Sequence, residues 1–220
     1  VDKTLVVASG GIDSTVLAYH CAEFKAVELV TFRYGQKHVR EAEYATALAE
    51  RLNVSHDIVM LPTLWGSALT TPGIEVPTRA YDKETMSSTV VPNRNAIMLS
   101  VAVSMAVARG IREVAIGVHG GDHHIYPDCR PIFVATFTTA MYVATEGKAE
   151  IYAPFVYLTK AQIIQMGAAL DVDFAQTYSC YQGKPNHCGL CGTCNDRKKA
   201  FRDAGVHDPT LYDCPDLLEG

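Results

Sequence analysis

Along the first sixty residues the apolar positions switch between two periods. Residues 4–8 are a short apolar run that stops at Ser9, which has the length and boundary of a buried strand. Residues 14–24 space their apolar side chains as a helix does. Residues 27–32 form a second apolar run. Residues 39–52 then place Val39, Ala42, Ala45, Leu48, Ala49 and Leu52 on one stripe, an amphipathic helix. Residues 56–61 read as a third strand. Further on, residues 96–109 are apolar nearly all round and predict a buried helix. Residues 114–118 predict a fourth strand, and residues 131–146 a helix entered through its proline. A short strand is expected around Ile151. Thr159 and Gln162 form a capping-box pattern, so a helix is expected from Lys160. Strands and helices alternating at this spacing imply βαβ units. The fold class is therefore α/β: a Rossmann-like parallel sheet with helices on both faces.

Two stretches break the pattern. Residues 62–95 hold Pro62, Pro72, Pro77 and Pro92 and show no periodicity, as a lid or binding loop would. The tail from Cys180 reads as loop studded with cysteines. The chain thus divides into an α/β domain, 1–176, carrying the long loop, and a small C-terminal segment, 177–220. No internal repeat or low-complexity stretch is visible.

Composition narrows the class. With 220 residues and 48% hydrophobic content, the chain can build one domain with a full core and a small appendage. Its net charge of −5 argues against gripping a nucleic acid backbone. No 18-residue apolar window predicts a membrane span, and the first residues lack the pattern of a secretory signal. Seven cysteines, four of them between positions 180 and 194, suit a reducing cytoplasm and a local metal site better than a disulfide scaffold.

The turn Ser9-Gly10-Gly11 between the first strand and helix is the first candidate for chemistry. Glycines let backbone approach an anion, and a helix start offers free N–H groups and the positive end of its dipole. No lysine follows, as a Walker loop needs, and the three-glycine dinucleotide fingerprint is missing. A plain turn capped by Asp13 or Ser14 would look similar. The composite S-G-G-x-D-S resembles the pyrophosphate loop of ATP pyrophosphatases. That likeness implies that Ala8, Ser9, Gly10, Gly11, Ile12, Asp13, Ser14 and Thr15 hold ATP. Asp13 would hold Mg2+ or cap the helix, and Lys160 would add charge at the same phosphates.

Cys180, Cys188, Cys191 and Cys194 have the spacing C-x7-C-x2-C-x2-C. Four thiolates make a closed, structural zinc site, with an iron–sulfur cluster as the rival. His187 is a spare donor. The loop 119–130 gathers His119, His123, His124, Asp122, Asp128, Cys129 and Arg130 beyond the fourth strand. It suits a second metal site or a polar substrate, with Asp122 and Asp128 accepting N–H groups and Arg130 pairing a carboxylate. In residues 91–95, Asn95 is placed to cap a helix and Arg94 to meet an anion.

Together the motifs resemble the 7-cyano-7-deazaguanine synthases over nearly the whole chain. They are S-G-G-x-D-S-T (9–15), Y-G-Q-x-H-x-x-E (34–41), V-P-x-R-N (91–95), G-V-x-x-x-D-x-x-x-Y-P-D-C-R (117–130), P-x5-K (154–160) and C-Y-x-G before C-G-x-C-x-x-C (180–194). The resemblance implies an adenine nucleotide alpha hydrolase-like fold. It also implies ATP-dependent conversion of 7-carboxy-7-deazaguanine and ammonia to the nitrile, through adenylylated carboxylate and amide. Asp13, Lys160 and Arg94 would act in catalysis. Arg94, Asn95, Asp122, Tyr126, Asp128 and Arg130 would line the deazapurine. Structural Zn2+, Mg2+ and a homodimer are implied, with no nucleic acid or membrane partner. Departures fall at Val90, where phenylalanine is typical, at Asn93, where glycine is, and at His123-His124-Ile125, where Phe-Ser-Gly is. A variant that stops at the amide, a tRNA sulfur-inserting ATP pyrophosphatase and a non-catalytic ATP sensor are the other readings.

Overall fold

The computed structural model describes residues 2–37, 40–78, 83–124 and 126–214. Five strands follow the apolar runs: β1 (Lys3–Val7), β2 (Ala26–Arg33), β3 (His56–Met60), β4 (Glu113–Ala115) and β5 (Glu150–Tyr152). Every pairing is parallel, in the order β3-β2-β1-β4-β5. Leu5 of β1 stands opposite Glu28 on one side and Val114 on the other. The chain leaves β1 toward β2 and β3, then crosses back to β4 and β5. The order reverses at β1, and such a reversal opens a crevice beyond the strand's carboxyl end.

The helices are α1 (Ile12–Ala22), α2 (Glu41–Leu52), α3 (Lys83–Thr89), α4 (Arg94–Ala108), α5 (Pro131–Ala144), α6 (Lys160–Ala169) and α7 (Gly192–Ala204). The period of two along the strands sorts them onto two faces. Leu5, Val7, Val30 and Val114 bury against Leu99, Val103 and Ala106 of α4. Val6, Leu29 and Ala115 bury against Val16 and Leu17 of α1, Leu48 of α2, Ile163 of α6 and Phe201 of α7. The expected α/β sheet covered on both faces is what the chain forms. Residues 85–108 are long and apolar enough to cross a membrane by length and composition. They span two helices, however, and α4 turns Leu99, Ala102 and Ala106 into the core.

Two expectations need correction. The stretch 62–95 is not all loop, since α3 forms within it. More telling, the tail from Cys180 carries the 13-residue helix α7. Its buried face hides behind charge. Arg197 is fully buried, donating to Thr177 Oγ1 at 2.7 Å, to the Phe174 carbonyl at 3.0 Å and to Asp208 at 3.2 Å. Lys198 is also buried and donates to the Gly189 carbonyl at 3.2 Å. An apolar-periodicity reading scores both as solvent-facing. His38 and Val39, part of the expected second helix and its approach, lie outside the described residues.

Candidate active site

The crevice at the end of β1 is a cavity of about 240 Å3. Its two ends differ. At one end β1 runs into Ser9-Gly10-Gly11. Gly10 has φ +85°, and a Cβ there would collide with the Glu41 carbonyl. Only glycine therefore lets α2 pack this close to the turn. Ser14 Oγ accepts the Ser9 N–H at 3.1 Å and donates to the Gly11 carbonyl at 3.3 Å, closing the turn from within. The Tyr178 N–H braces it from outside through the Gly10 carbonyl at 2.9 Å. No side chain caps α1, and Ile12, Asp13 and Ser14 of its first turn line the cavity. The positive end of the helix thus faces the crevice.

Asp13 is the electrostatic centre of this end. Its Oδ2 lies 3.2 Å from Lys160 Nζ and 3.8 Å from His119 Nε2. Its Oδ1 is buried with no partner among the described residues. Burial pushes the carboxyl up, but Lys160 and His119 outweigh it and hold it below the ordinary range. Burial works against the Lys160 ammonium too, yet Asp13, Asp122 and Asp196 raise it. Asp122 Oδ2 lies 3.5 Å from His119 Nε2. A helix N-terminus and a buried ammonium beside an ionised carboxylate with an unfilled oxygen suit a polyphosphate and its counter-cation.

The other end is aromatic. Tyr34, Tyr126 and Tyr181 line it with Phe32, Met98 and Gln36. Gln36 is buried and closes the turn after β2, accepting the Tyr34 N–H at 2.8 Å and donating to the Phe32 carbonyl at 3.0 Å. Arg94, first residue of α4, donates from Nη1 to Tyr34 Oη at 3.4 Å and lies over the Tyr126 ring at 6.0 Å. Its Nε is buried without a partner among the described residues. Tyr126 Oη and Tyr181 Oη lie 3.3 Å apart. Glu41, first residue of α2, completes the wall. Burial pushes its carboxyl up to about 8 despite the nearby Arg94.

Beside the cavity the four cysteines converge, all buried, with one sulfur from each within 4.8 Å of the others. Cys191 and Cys194 sulfurs are 3.4 Å apart, and Cys188 and Cys194 3.9 Å. A tetrahedron of sulfurs at the usual zinc–thiolate distance has edges of about 3.8 Å. Backbone N–H groups of Gln182 and Cys188 donate to Cys180 Sγ, and those of Leu190 and Cys191 to Cys188 Sγ. Such donors favour thiolates. The cluster can hold a metal ion, and the donor set fits zinc. His187 is not part of it, because its Nε2 accepts the Ser179 N–H at 3.0 Å.

Comparison with known proteins agrees with this geometry. Residues 3–205 match the model of the queuosine biosynthesis protein QueC family. The 7-cyano-7-deazaguanine synthase of Rhizobium rhizogenes is 51% identical, covering 98% of this chain and 94% of that protein. The enzyme of the same name from Paracoccus denitrificans is 50% identical, covering 98% and 95%. The chain belongs to the 7-cyano-7-deazaguanine synthase family. The NMN synthetase of Francisella tularensis shares the fold, with TM-score 0.50, 19% identity, and coverage of 93% of this chain and 77% of that one.

Against the family motifs, Ala8, Ser9, Gly11, Ile12, Asp13, Ser14, Lys160, Arg94, Asn95, Asp122 and Tyr126 all line the cavity. Gly10 shapes the turn from behind it, and Thr15 is buried within α1. Asn95 does not cap α4, which starts one residue earlier. Instead its N–H and side chain bind Asp128, at 2.8 and 3.1 Å. Asp128 is thereby occupied in anchoring α4 to the Pro127–Cys129 turn. Exposed Arg130 leads into α5 and is not among the cavity's lining residues. Sequence reasoning missed Asp196, Ser179 and Thr193, which reach the cavity from the cysteine-rich segment, and did not assign Glu41. Asn93, where the family has glycine, sits at φ 58°, ψ 21°, a left-handed conformation that asparagine tolerates best after glycine. That departure leaves the backbone path intact. Partly buried Val90 packs on the α4 face of the core, and Ile125 lies outside the described residues.

Proposed function

We propose that this cleft makes 7-cyano-7-deazaguanine from 7-carboxy-7-deazaguanine, ammonia and two molecules of ATP. Family membership at about half identity over nearly the full length supports this. The observation that carries it in the molecule is one cavity with an anion-holding end and an aromatic end. The substrate carboxylate attacks the α-phosphorus of ATP and pyrophosphate leaves. Ammonia displaces AMP to give the amide. The amide oxygen attacks the α-phosphorus of a second ATP, a second pyrophosphate leaves and one amide proton is lost, and loss of AMP with the remaining N–H proton leaves the nitrile. Carboxylate and amide oxygens are poor leaving groups, and adenylylation cures both in one site.

Ser9, Gly11 and the first turn of α1 receive the departing pyrophosphate, and Lys160 neutralises the charge that develops there. Mg2+ fits at Asp13, whose buried Oδ1 lacks a partner among the described residues, and would supply further neutralisation. Asp122 orients His119. Arg94 and Tyr126 face the deazapurine. Asn95 and Asp128 hold α4 in place beside it.

Zinc on Cys180, Cys188, Cys191 and Cys194 would staple the 177–220 segment to itself, holding the Cys180 stretch against the start of α7. Cys191→Ala is expected to lose bound zinc and melt the tail together, since metal binding and folding are coupled. A zinc-free, fully active variant would refute that role. None of the seven cysteines is in a disulfide, which agrees with a reducing cytoplasm. A homodimer has a natural surface in α5. That helix buries none of its residues and exposes Ile132, Ala140, Tyr142 and Val143. Mass spectrometry of 7-carboxy-7-deazaguanine incubated with enzyme, ATP, magnesium and ammonium tests the whole reading. Nitrile is expected. Amide alone would establish the shortened reaction, and unchanged substrate would refute both.

A further inference from the structure

We infer that Arg94 holds the 7-carboxylate of the substrate on its guanidinium fork, and so serves the conversion of acid to amide but not that of amide to nitrile. This rests on the deazaguanine reading of the cleft and assigns the residue to one half of the reaction.

Position comes first. Arg94 lines the cavity and opens α4, where the positive end of the helix dipole disfavours a cation. The first turn of α4 holds no acid to balance it. Asp128 reaches the same helix start, but its Oδ2 accepts the Asn95 N–H at 2.8 Å. Two other arginines show the contrast. Arg197 is filled by Thr177, the Phe174 carbonyl and Asp208, and Arg109 by Glu28 and Asp57. The one hydrogen bond of Arg94 among the described residues is long, from Nη1 to Tyr34 Oη at 3.4 Å, and its buried Nε has none. Glu41, whose carboxyl feels Arg94, is pushed up to about 8 by burial, so near pH 7 little of its charge offsets the guanidinium. Buried donors left unfilled cost free energy that a ligand recovers.

Chemistry comes second. Arg94 touches Tyr34 and lies over the Tyr126 ring at 6.0 Å, so its anion arrives on a flat molecule. Conjugation keeps a carboxylate on C7 coplanar with the bicycle. A bicycle between tyrosines therefore presents both oxygens edge-on to the fork, the bidentate match that guanidinium makes best. Phosphates have their own donors in the first turn of α1 and in Lys160, which line the same cavity. Each carboxylate oxygen has two lone pairs, so one bound to Arg94 keeps another for the α-phosphorus. The amide is neutral and has one acceptor oxygen. It offers the fork no charge, and the contribution of Arg94 falls away in the second half.

The test starts the reaction from either side of the amide, supplying 7-carboxy-7-deazaguanine or 7-amido-7-deazaguanine to wild type and to Arg94→Gln. Arg94→Gln is expected to raise the KM for the acid about tenfold, within the range for hydrogen bonds to a charged group. Its KM for the amide is expected to move less than about twofold, and its KM for ATP not at all. Equal rises for acid and amide, an unmoved acid KM, or a raised KM for ATP overturns the assignment. If Arg94→Gln does not fold, Arg94→Lys decides, since it keeps the charge and loses the fork. A KM raised about threefold for the acid alone supports the inference, and acid and amide affected alike overturns it. Wild type failing to convert 7-carboxy-7-deazaguanine would instead refute the function on which the inference rests.

Discussion

Asp13 and Glu41 are two carboxyl groups lining one cavity, and their surroundings drive them apart. Both are penalised by burial. Asp13 has Lys160 and His119 within 4 Å, and stays ionised. Glu41 has a more diffuse debt to Arg94 and rises to about 8. The difference is one of purpose. The phosphate end needs fixed charges aimed where negative charge develops. At the aromatic end burial dominates the Glu41 carboxyl, and Arg94 is set against tyrosine side chains. On the proposed function, one crevice would receive the nucleotide at the first end and the flat base at the second.

Substitutions at the phosphate end should act on turnover most strongly. Asp13→Asn is expected to lower kcat about 10³-fold with the melting temperature little changed, as loss of one preorganised electrostatic group does. Pyrophosphate release measures it. A large rise in the deazapurine KM with kcat preserved would erase the proposed division. Lys160→Met is expected to cost about 10²-fold in kcat. It also removes the cation that holds Asp13 low, so the Asp13 carboxyl rises and the acid limb of the pH–rate profile moves to higher pH. An unmoved limb would place the essential ionisation elsewhere.

At the aromatic end effects should be smaller and fall on binding. Arg94→Gln is expected to raise the deazapurine KM about tenfold and leave the ATP KM alone, readable by steady-state kinetics. The smallest effect is on stability. The folded Glu41 carboxyl titrates at about 8 against an ordinary 4.5. Its contribution is therefore present below 4.5 and lost as pH rises toward 8. Asp13 runs the opposite way: its contribution is present above 3.8 and lost as pH falls through its lowered value. Glu41→Gln should flatten the decline of melting temperature between pH 5 and 8 by a few degrees, measured by calorimetry.

The two ends also differed in how far the chain revealed them. The phosphate end is local. Strand, glycine turn and helix start are contiguous from Lys3 to Ser14, and each has a period or a residue type that betrays it. Lys160 was readable because a capping box marks where its helix begins. The aromatic end is assembled from Tyr34 with Glu41, Arg94, Tyr126 and Tyr181, four segments far apart in the chain, and the crossing at β1 brings them together. Helix α7 escaped for a different reason. Its core face holds Arg197 and Lys198, buried because Thr177, Asp208 and backbone carbonyls satisfy them. Asp196, Ser179 and Thr193 escaped with it. Asp128 illustrates the limit of residue-type reasoning. It accepts N–H groups as expected, but from Asn95 of its own chain.

The central claim is that both oxygens of the substrate carboxylate leave on AMP, one in each of two successive adenylylations within this cleft. Supplying 7-carboxy-7-deazaguanine with both carboxylate oxygens as 18O, together with unlabelled ATP and ammonium, tests it directly. Two AMP per nitrile, each carrying one 18O, are expected. Label released to water, or found in pyrophosphate rather than AMP, would contradict the double adenylylation.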